Sequence, residues 1–294
     1  MKINQITNLV KYVRYLHKHH HHFSQEFIKS EEFKGLIQKQ KITTVFQPIL
    51  SLTENETLGF EILNRPEPTT FFPTTDKFYD YVGQSETVFM VEAFLRDLSL
   101  ERYSEQVKCT QNHDEKLVFL NIQPQVLADS TYRSGKTLEL LSMYNLSPSQ
   151  IVLELTEKEA VIDYSRFEKI IDNYRQQGFR VAVDDAGTGY NSLKTLVYLK
   201  PEFIKIDKSL IRNIHNNPAQ QHLVELLLEF AAQSKTDVIA EGIETLSELT
   251  FLQELGVSYG QGYALGKPNS LLSNGQLPLH PSTVLPTTPF YRAK

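Results

Sequence analysis

The chain has 294 residues, of which 22% are charged, and its formal net charge at pH 7 is −5. This mild acidity gives no support for duplex nucleic acid as the main partner, although a small anionic ligand stays compatible with it. The single cysteine, Cys109, excludes an intramolecular disulfide and fits a reducing compartment. No apolar run reaches about 18 residues, and no apolar signal core follows Met1, so we expect a cytoplasmic protein without a membrane span.

Residues 1–35 are interpreted as a helical extension or linker that is separate from the compact part of the chain. Apolar side chains recur there at helical spacing, at Ile6, Val10, Val13 and Leu16. The histidine run His19–His22 could bind a metal adventitiously, but we interpret it as a solvated, partly helical stretch. The extension is a candidate for packing on the domain or on a partner protein.

The compact domain is predicted over residues 36–272. Two β-branched and aromatic runs, Thr43–Ile49 and Leu58–Leu63, predict strands that form an antiparallel pair across a short polar turn. Apolar residues at helical spacing predict a helix over Thr87–Leu100. The tail 273–294 is rich in proline and threonine, and we expect it to be loosely ordered.

Further short apolar strands follow along the chain, and a polar residue comes at the end of each one. The polar residues at these strand ends are Asn121, Glu154, Asp184 with Asp185, Lys205, Glu241 and Gln261. Amphipathic helices separate several of the strands, and one of them can begin at Pro218. This alternation predicts parallel βαβ units, and about seven or eight such strands suit a (β/α)-barrel better than an open sheet. The first strand is not followed by a GxGxxG motif, which disfavours a dinucleotide-binding sheet.

The central stretch is Val181–Leu193. A short buried strand ends in two adjacent carboxylates, Asp184 and Asp185, and a Gly-Thr-Gly turn and a helix beginning at Ser192 follow. Two bare carboxylates at a strand end would repel each other unless one stayed protonated or a divalent cation bound between them. The alternative is a pair of solvated turn aspartates.

In a barrel the C-terminal strand ends converge on one mouth, so the strand-end side chains should share a pocket. The candidate metal ligands all offer oxygen, and they are Glu61, Asn121, Glu154, Asp184, Asp185 and Glu241. Hard oxygen ligands favour Mg²⁺ or Mn²⁺ over Zn²⁺. Five carboxylates exceed what one divalent ion needs, and a pair of ions is the arrangement that drives in-line displacement at phosphorus.

Three further polar residues have candidate roles in this pocket. Lys205 either stays protonated and orients a water molecule or, if burial lowers its pKa, accepts the proton of that water. Gln261 could contact a base edge or a phosphate, and Arg65 could hold a phosphate, while a structural role is the alternative for both.

Seven motifs, taken in order, resemble those of the EAL-domain cyclic-di-GMP phosphodiesterases over roughly residues 36–270. The motifs are Glu61–Leu63 with Gln47–Ile49 before it and Arg65 after it, Leu120–Pro124, Glu154–Glu157, Asp184–Tyr190, Lys205–Asp207, Ala240–Glu244 and Gln261–Tyr263. The resemblance implies an α/β fold, a modified TIM (β/α)8 barrel whose first strand is antiparallel to the others. It also implies hydrolysis of cyclic di-GMP to linear pGpG with Mg²⁺ or Mn²⁺, with two ions expected.

The resemblance also implies roles for individual residues. The metal ligands would be the six oxygen donors named above, with Lys205 activating or orienting water. Substrate contacts would come from Gln47, Arg65 and Gln261. Glu157 would anchor the loop after Asp185. Asp207 and Glu244 would contact the ligands without binding the metal themselves. A homodimer through the barrel is compatible with the resemblance.

The sequence departs from the family pattern at Ile62, where alanine is usual, and at Ala186, where phenylalanine is usual. Loss of that aromatic could loosen the loop after the aspartates, so a catalytically weak or inactive EAL domain is the alternative. Such a domain would act as a cyclic-di-GMP receptor or a protein-interaction module. A barrel glycosidase that uses a carboxylate pair is a third reading, and it would need no metal.

Overall fold

The computed structural model describes residues 24–85, 87–109, 115–122, 135–156, 164–188 and 192–278. Eight strands close a barrel in sequence order. The strands are β1 Ile42–Ser51, β2 Thr57–Pro66, β3 Leu117–Asn121, β4 Ile151–Thr156, β5 Arg180–Ala186, β6 Phe203–Ile206, β7 Asp237–Ala240 and β8 Tyr259–Gly260. β1 is antiparallel to both of its neighbours and every other pair is parallel. The predicted TIM-type barrel with an antiparallel first strand is therefore confirmed.

Helices surround the strands. They are α1 (residues 24–36), α2 Thr75–Gln84, α3 Val88–Cys109, α4 Lys136–Tyr144, α5 Tyr164–Gln176, α6 Ser192–Leu199, α7 Lys208–Ile211, α8 Pro218–Ser234 and α9 Leu246–Glu254. The helix starts predicted at Ser192 and Pro218 are confirmed, and the Asn217 side chain caps α8 by accepting from Ala219 and Gln220 N–H groups. Within the described ranges, no helix is both long and apolar enough to cross a membrane. The run His19–His22 lies outside the described residues.

The barrel interior is filled in layers because successive side chains of a strand point to opposite faces. An apolar layer packs inside it, made of Ile49, Leu117, Phe119, Val152, Ala182, Phe203 and Ile239. The rings of Phe119 and Phe203 meet edge to face, with centroids 5.4 Å apart. For five residues of this layer, the residue two positions later in the same strand or directly after it is polar. These polar residues are Asn121, Glu154, Asp184, Lys205 and Glu241. The register that fills the barrel thus also brings the polar side chains to its mouth.

Helix α1 packs onto the barrel rather than standing apart from it. Phe33 and Leu36 are buried in a second apolar cluster with residues of α2 and α3, including Phe78 and Val91. The ring centroid of Phe33 lies 5.5 Å from that of Phe78 and 4.9 Å from that of Tyr81. Helix α1 ends at residue 36, so it extends across the predicted boundary between the N-terminal extension and the compact domain. The limits of the domains stay a prediction.

Close approach of β2 and β3 depends on Gly59. A Cβ at this position would lie 2.3 Å from the Leu117 carbonyl oxygen, which belongs to the β3 backbone and cannot move aside freely. We expect Gly59→Ala to lower the free energy of unfolding by about 1–3 kcal/mol, as overpacking does, measured by urea denaturation. The matched control is Gly35→Ala in α1, where no heavy atom lies within 4 Å of the new Cβ. Equal stability of the two variants would contradict the proposed backbone contact.

Candidate metal centre at the barrel mouth

A buried lysine lies at the centre of the mouth. The Nζ atom of Lys205, on β6, lies 2.7 Å from Glu154 Oε1 and 2.8 Å from Glu241 Oε1. It also lies 3.3 Å from Asp184 Oδ1 and 3.5 Å from Glu61 Oε2. These four carboxylates come from β2, β4 and β5 and from the residue directly after β7. The barrel therefore gathers around one ammonium group side chains that lie far apart along the chain.

The Glu61 carboxylate is held by amide groups from two other strand ends. Asn121 Nδ2 donates to Glu61 Oε1 at 3.2 Å, and Gln261 Nε2 donates to Glu61 Oε2 at 2.7 Å. Gln261 is buried, and its own Oε1 has no hydrogen-bond partner among the residues that the structure describes. The structure thus places Gln261 against a candidate metal ligand, where its amide fixes the orientation of Glu61.

Adjacent aspartates reach the same pocket because β5 is irregular at its end. The pairing of β5 with β6 shifts register between Val183 and Ala186. Asp185 has a φ of 56°, a left-handed conformation that a non-glycine residue rarely adopts. Its N–H donates to Asp184 Oδ1 at 3.0 Å. One oxygen from each of Asp184, Asp185 and Glu241 lies within 4.8 Å of the others, which is the spacing of a metal-ligand group.

The electrostatics of the cluster follow from burial and from Lys205. Burial raises the pKa of Glu154 well above its usual range and that of Glu241 to about 8, because the attraction of Lys205 compensates only in part. Burial also acts on Glu61, but Lys205 and the amides of Gln261 and Asn121 bring its pKa below the ordinary value. Burial alone would lower the pKa of Lys205, yet Asp184 and Glu154 together with the other carboxylates raise it well above normal.

The donors present fit a hard divalent cation. Both carboxylate oxygens of Glu154 are buried, and neither has a hydrogen-bond partner within the described ranges; the Lys205 contact is an ion pair without regular hydrogen-bond geometry. An unsatisfied buried carboxylate is costly unless a cation compensates it. All six candidate ligands offer oxygen, and one lysine cannot neutralise five carboxylates.

Two of the predicted substrate-binding residues lie around the centre. Arg65 is exposed near the end of β2 and lines a cavity of about 340 Å³ together with Glu61, Asp184 and Asp185. Gln47 is buried on β1 opposite Glu61, and its Nε2 donates to the Gly266 carbonyl at 3.4 Å.

The predicted supporting residues take different positions. The Asp207 side chain caps α7 by accepting from the Ser209 N–H at 2.9 Å. Burial raises the pKa of Asp207, but hydrogen bonds with Ser209 and Asp185 bring it below its usual value, so this residue adjoins the centre. Glu244 instead forms a bidentate ion pair with Arg212 at the surface. Glu157 lies outside the described residues.

The sequence analysis missed several further residues that line the same cavity. They include Asp76 and Tyr79 from α2 and Glu92 and Arg96 from α3. A signal was available, because Glu92 and Arg96 continue at four-residue spacing from Val88 on the apolar face of the helix. A charged residue on the apolar face of a helix is a signal for a buried polar site, because such residues are rarely buried unless they are paired.

A family model described as "EAL domain" matches residues 30–268. Among curated relatives, the probable cyclic di-GMP phosphodiesterase PdeB of Escherichia coli K12 is 30% identical over 241 residues, covering 79% of this chain and 43% of that protein. The cyclic di-GMP phosphodiesterase PdeR of the same organism is 30% identical over 189 residues, covering 64% of this chain and 28% of its own length. The chain therefore spans less than half the length of these relatives.

Solved structures show the same architecture. A standalone EAL protein from Vibrio cholerae O395, in a c-di-GMP-bound form, matches with a TM-score of 0.68 and 26% identity, covering 80% of this chain and 95% of that one. Klebsiella pneumoniae BlrP1, in a manganese and cyclic-di-GMP complex, matches with a TM-score of 0.71 and 23% identity, covering 81% of this chain and 59% of that one. The second likeness supports the fold alone.

Divalent cations should stabilise the folded chain. At about 100 times its dissociation constant a ligand adds ~2.7 kcal/mol, and for a chain of this size that is roughly 5–10 °C in Tm. We expect Mn²⁺ to raise the Tm of the EDTA-treated protein by this amount, measured by differential scanning fluorimetry. Asp184→Asn should lose most of the shift, whereas Asp80→Asn, a change on the exposed face of α2, should keep it. An equal shift in both variants would argue against a metal at this cluster.

Removal of the central ammonium should destabilise the metal-free protein. Lys205→Met leaves buried carboxylates without a counter-charge, at a cost of about 3–5 kcal/mol. A carboxyl whose folded pKa is raised destabilises the fold while it is ionised, and this effect diminishes as the pH falls through the folded value. The loss should therefore be larger near pH 8 than near pH 5, because the pKa of Glu241 is about 8 with Lys205 beside it and this carboxyl is protonated at the lower pH. Urea denaturation in EDTA would measure it, with the exposed Lys77→Met as control.

Proposed function

Because this chain belongs to the EAL-domain family, we propose that it hydrolyses cyclic di-GMP to linear pGpG with divalent metal ions. The observation that carries the proposal is the convergence of five carboxylates and Lys205 at the barrel mouth. The names of the curated relatives and the c-di-GMP-bound Vibrio cholerae structure support the choice of substrate. Such a cluster is typical of phosphoryl transfer rather than of hydride or acyl chemistry.

The metal would be Mg²⁺ or Mn²⁺, with two ions expected. The residues that would hold it are Glu61, Asn121, Glu154, Asp184, Asp185 and Glu241. When bound, such ions supply Lewis-acid activation of water and neutralise charge on the phosphoryl oxygens. Gln261 contributes by keeping the Glu61 carboxylate in place through its 2.7 Å hydrogen bond.

The side chains around the centre account for the rest of the reaction. A water oxygen forms a bond to phosphorus and gives up one proton, the bond from phosphorus to the 3′ oxygen breaks, and that oxygen takes up one proton and leaves as a hydroxyl. Lys205 places its ammonium among the carboxylates, where it can orient the water and offset the developing negative charge. Arg65, exposed on the cavity rim, is the candidate for holding a phosphate of the substrate, and Gln47 and Gln261 are candidates for further contacts.

The alternative is a catalytically weak or inactive domain that serves as a cyclic-di-GMP receptor. Its sequence motivation is Ala186, which the structure buries in β5 opposite Ile206. Ala186 is covalently adjacent to the candidate ligand Asp185, and its side chain packs in the apolar core. Every carboxylate and the lysine expected for hydrolysis are present, so we favour the enzyme.

Other features of the hypothesis stay predictions. They are a homodimer through the barrel, a partner for the N-terminal helix, a cytoplasmic location and the absence of duplex nucleic acid as a partner. Each of these features concerns the protein as a whole rather than the barrel described above.

Turnover should require both the metal and the Glu61 carboxylate. We expect the purified protein to convert cyclic di-GMP to pGpG with Mn²⁺ or Mg²⁺, to stop in EDTA, and to recover when metal is returned, as read by chromatography. Glu61→Gln and Lys205→Ala should lower kcat by at least about 100-fold, the scale for loss of a group that stabilises transition-state charge.

Glu56→Gln is the control, because Glu56 is exposed in the turn between β1 and β2. Binding of cyclic di-GMP without turnover would favour the receptor, and metal-independent turnover of a glycoside would favour the glycosidase reading.

A further inference from the structure

A second cavity, here called the α1 groove, is separate from the cavity at the barrel mouth. It has a volume of about 620 Å³ and is formed by α1, the end of α2 and the start of α3. None of the described residues that line it also lines the cavity at the mouth. Its lining includes Phe33, Lys34, Ile37, Tyr81, Met90 and Val91.

The α1 groove combines a buried apolar floor with exposed apolar side chains. Phe33 and Val91 are buried, whereas Met90 is 64% exposed. On α1, the 65% exposed Phe27 lies three positions before the groove residue Ser30, so both share one face of the helix. The apolar surface thus continues from the groove towards the start of α1. Exposed apolar side chains grouped in this way are typical of a binding surface.

The sequence before α1 contains an apolar stripe that could cover this surface. Ile6, Val10, Val13 and Leu16 recur there at helical spacing, and they lie outside the described residues. A helix that carried the four side chains would be about 16 Å long. A helix with one apolar face is stable in water only when a second surface covers that face.

The connection is long enough for the stripe to return to the α1 groove. Residues 17–23 can span up to about 23–25 Å when they are extended. The groove residues Ser30 and Lys34 lie roughly 9–15 Å along the axis of α1 from its first residue. A segment folded back antiparallel to α1, as in a helical hairpin, would therefore reach the groove.

Charge favours this segment over a second copy of the groove. Residues 1–23 contain Lys2, Lys11, Arg14 and Lys18 and no acidic residue. In contrast, α1 has three glutamates against two lysines, and α2 has two aspartates against one lysine. A basic segment is complementary to these two helices, whereas two copies of the same face would meet with charges of the same sign.

We propose that residues 6–16 of this chain bind in the α1 groove as an amphipathic helix. Their apolar stripe would pack against the buried Phe33 and Val91 and cover the exposed Met90. The segment before α1 would then belong to the folded domain and would not be a linker. This inference does not depend on the proposed activity, and its test needs no turnover.

Photo-crosslinking in the full chain tests the proposal. We expect a benzophenone side chain in place of Met90 to attach on irradiation to residues 6–16 of the same chain, as identified by mass spectrometry of the monomer. A second probe in place of Gln84, which is also exposed in the groove, guards against a local effect of the first. Met143 on α4 is the matched control, because it is 69% exposed and does not line the groove, and a probe there should not capture this segment.

Substitutions in the stripe provide a second measurement. Val10→Asp together with Val13→Asp should lower the crosslink yield by at least about fivefold, because ionised carboxylates are costly to bury. Asn8→Asp, on the opposite face of the same predicted helix, should leave the yield unchanged.

Four results would overturn the proposal. One is an equal yield from the stripe variant and from Asn8→Asp, and another is capture from Met90 no greater than from Met143. The third is capture of a different part of the chain. The last is a crosslinked dimer whose yield falls on dilution, which would assign the groove to a second copy.

Discussion

The rest of the barrel mouth depends on one buried ammonium that lies within 3.5 Å of four carboxylates. Desolvation of each of these charges costs several kcal/mol, and Lys205 compensates only part of it. The remainder appears as raised pKa values at Glu154 and Glu241. Without metal, the cluster therefore favours the uptake of protons, and a divalent cation can replace them. Metal binding and the stability of the mouth are for this reason one linked property.

The strand pattern explains why so much of this centre could be predicted from sequence. In a barrel, the side chain that fills the interior and the side chain two positions later point the same way. Phe203 and Lys205 illustrate this, as do Ile239 and Glu241. A polar residue at the end of an apolar strand was thus a sufficient signal for the convergence of these side chains and for the fold. The one exception to alternation, Asp185, follows the register shift at the end of β5.

Contacts that depend on long-range packing could not be predicted in the same way. The hydrogen bond from Gln261 to Glu61 joins residues 200 positions apart, and spacing alone left both a substrate contact and a structural role open for the glutamine. The four-residue spacing of Glu92 and Arg96 after Val88 indicates that they share the apolar face of α3. The contact of Arg96 with Thr137 of α4 depends on tertiary packing, which this spacing does not give. Helices α2 and α4 were themselves not assigned from the sequence.

The cavity at the barrel mouth is lined both by strand-end residues and by residues of α2 and α3, and these two groups are supported by different apolar clusters. The candidate metal ligands extend from strands whose inner apolar layer is closed within the barrel. The side of the cavity that includes Tyr79 and Glu92 is formed by α2 and α3, whose apolar side chains cluster with Phe33 and Leu36 of α1. Helix α1 thus contributes to the packing of the two helices that carry Tyr79 and Glu92. The helical side of the cavity and the strand ends therefore depend on different apolar clusters of the core.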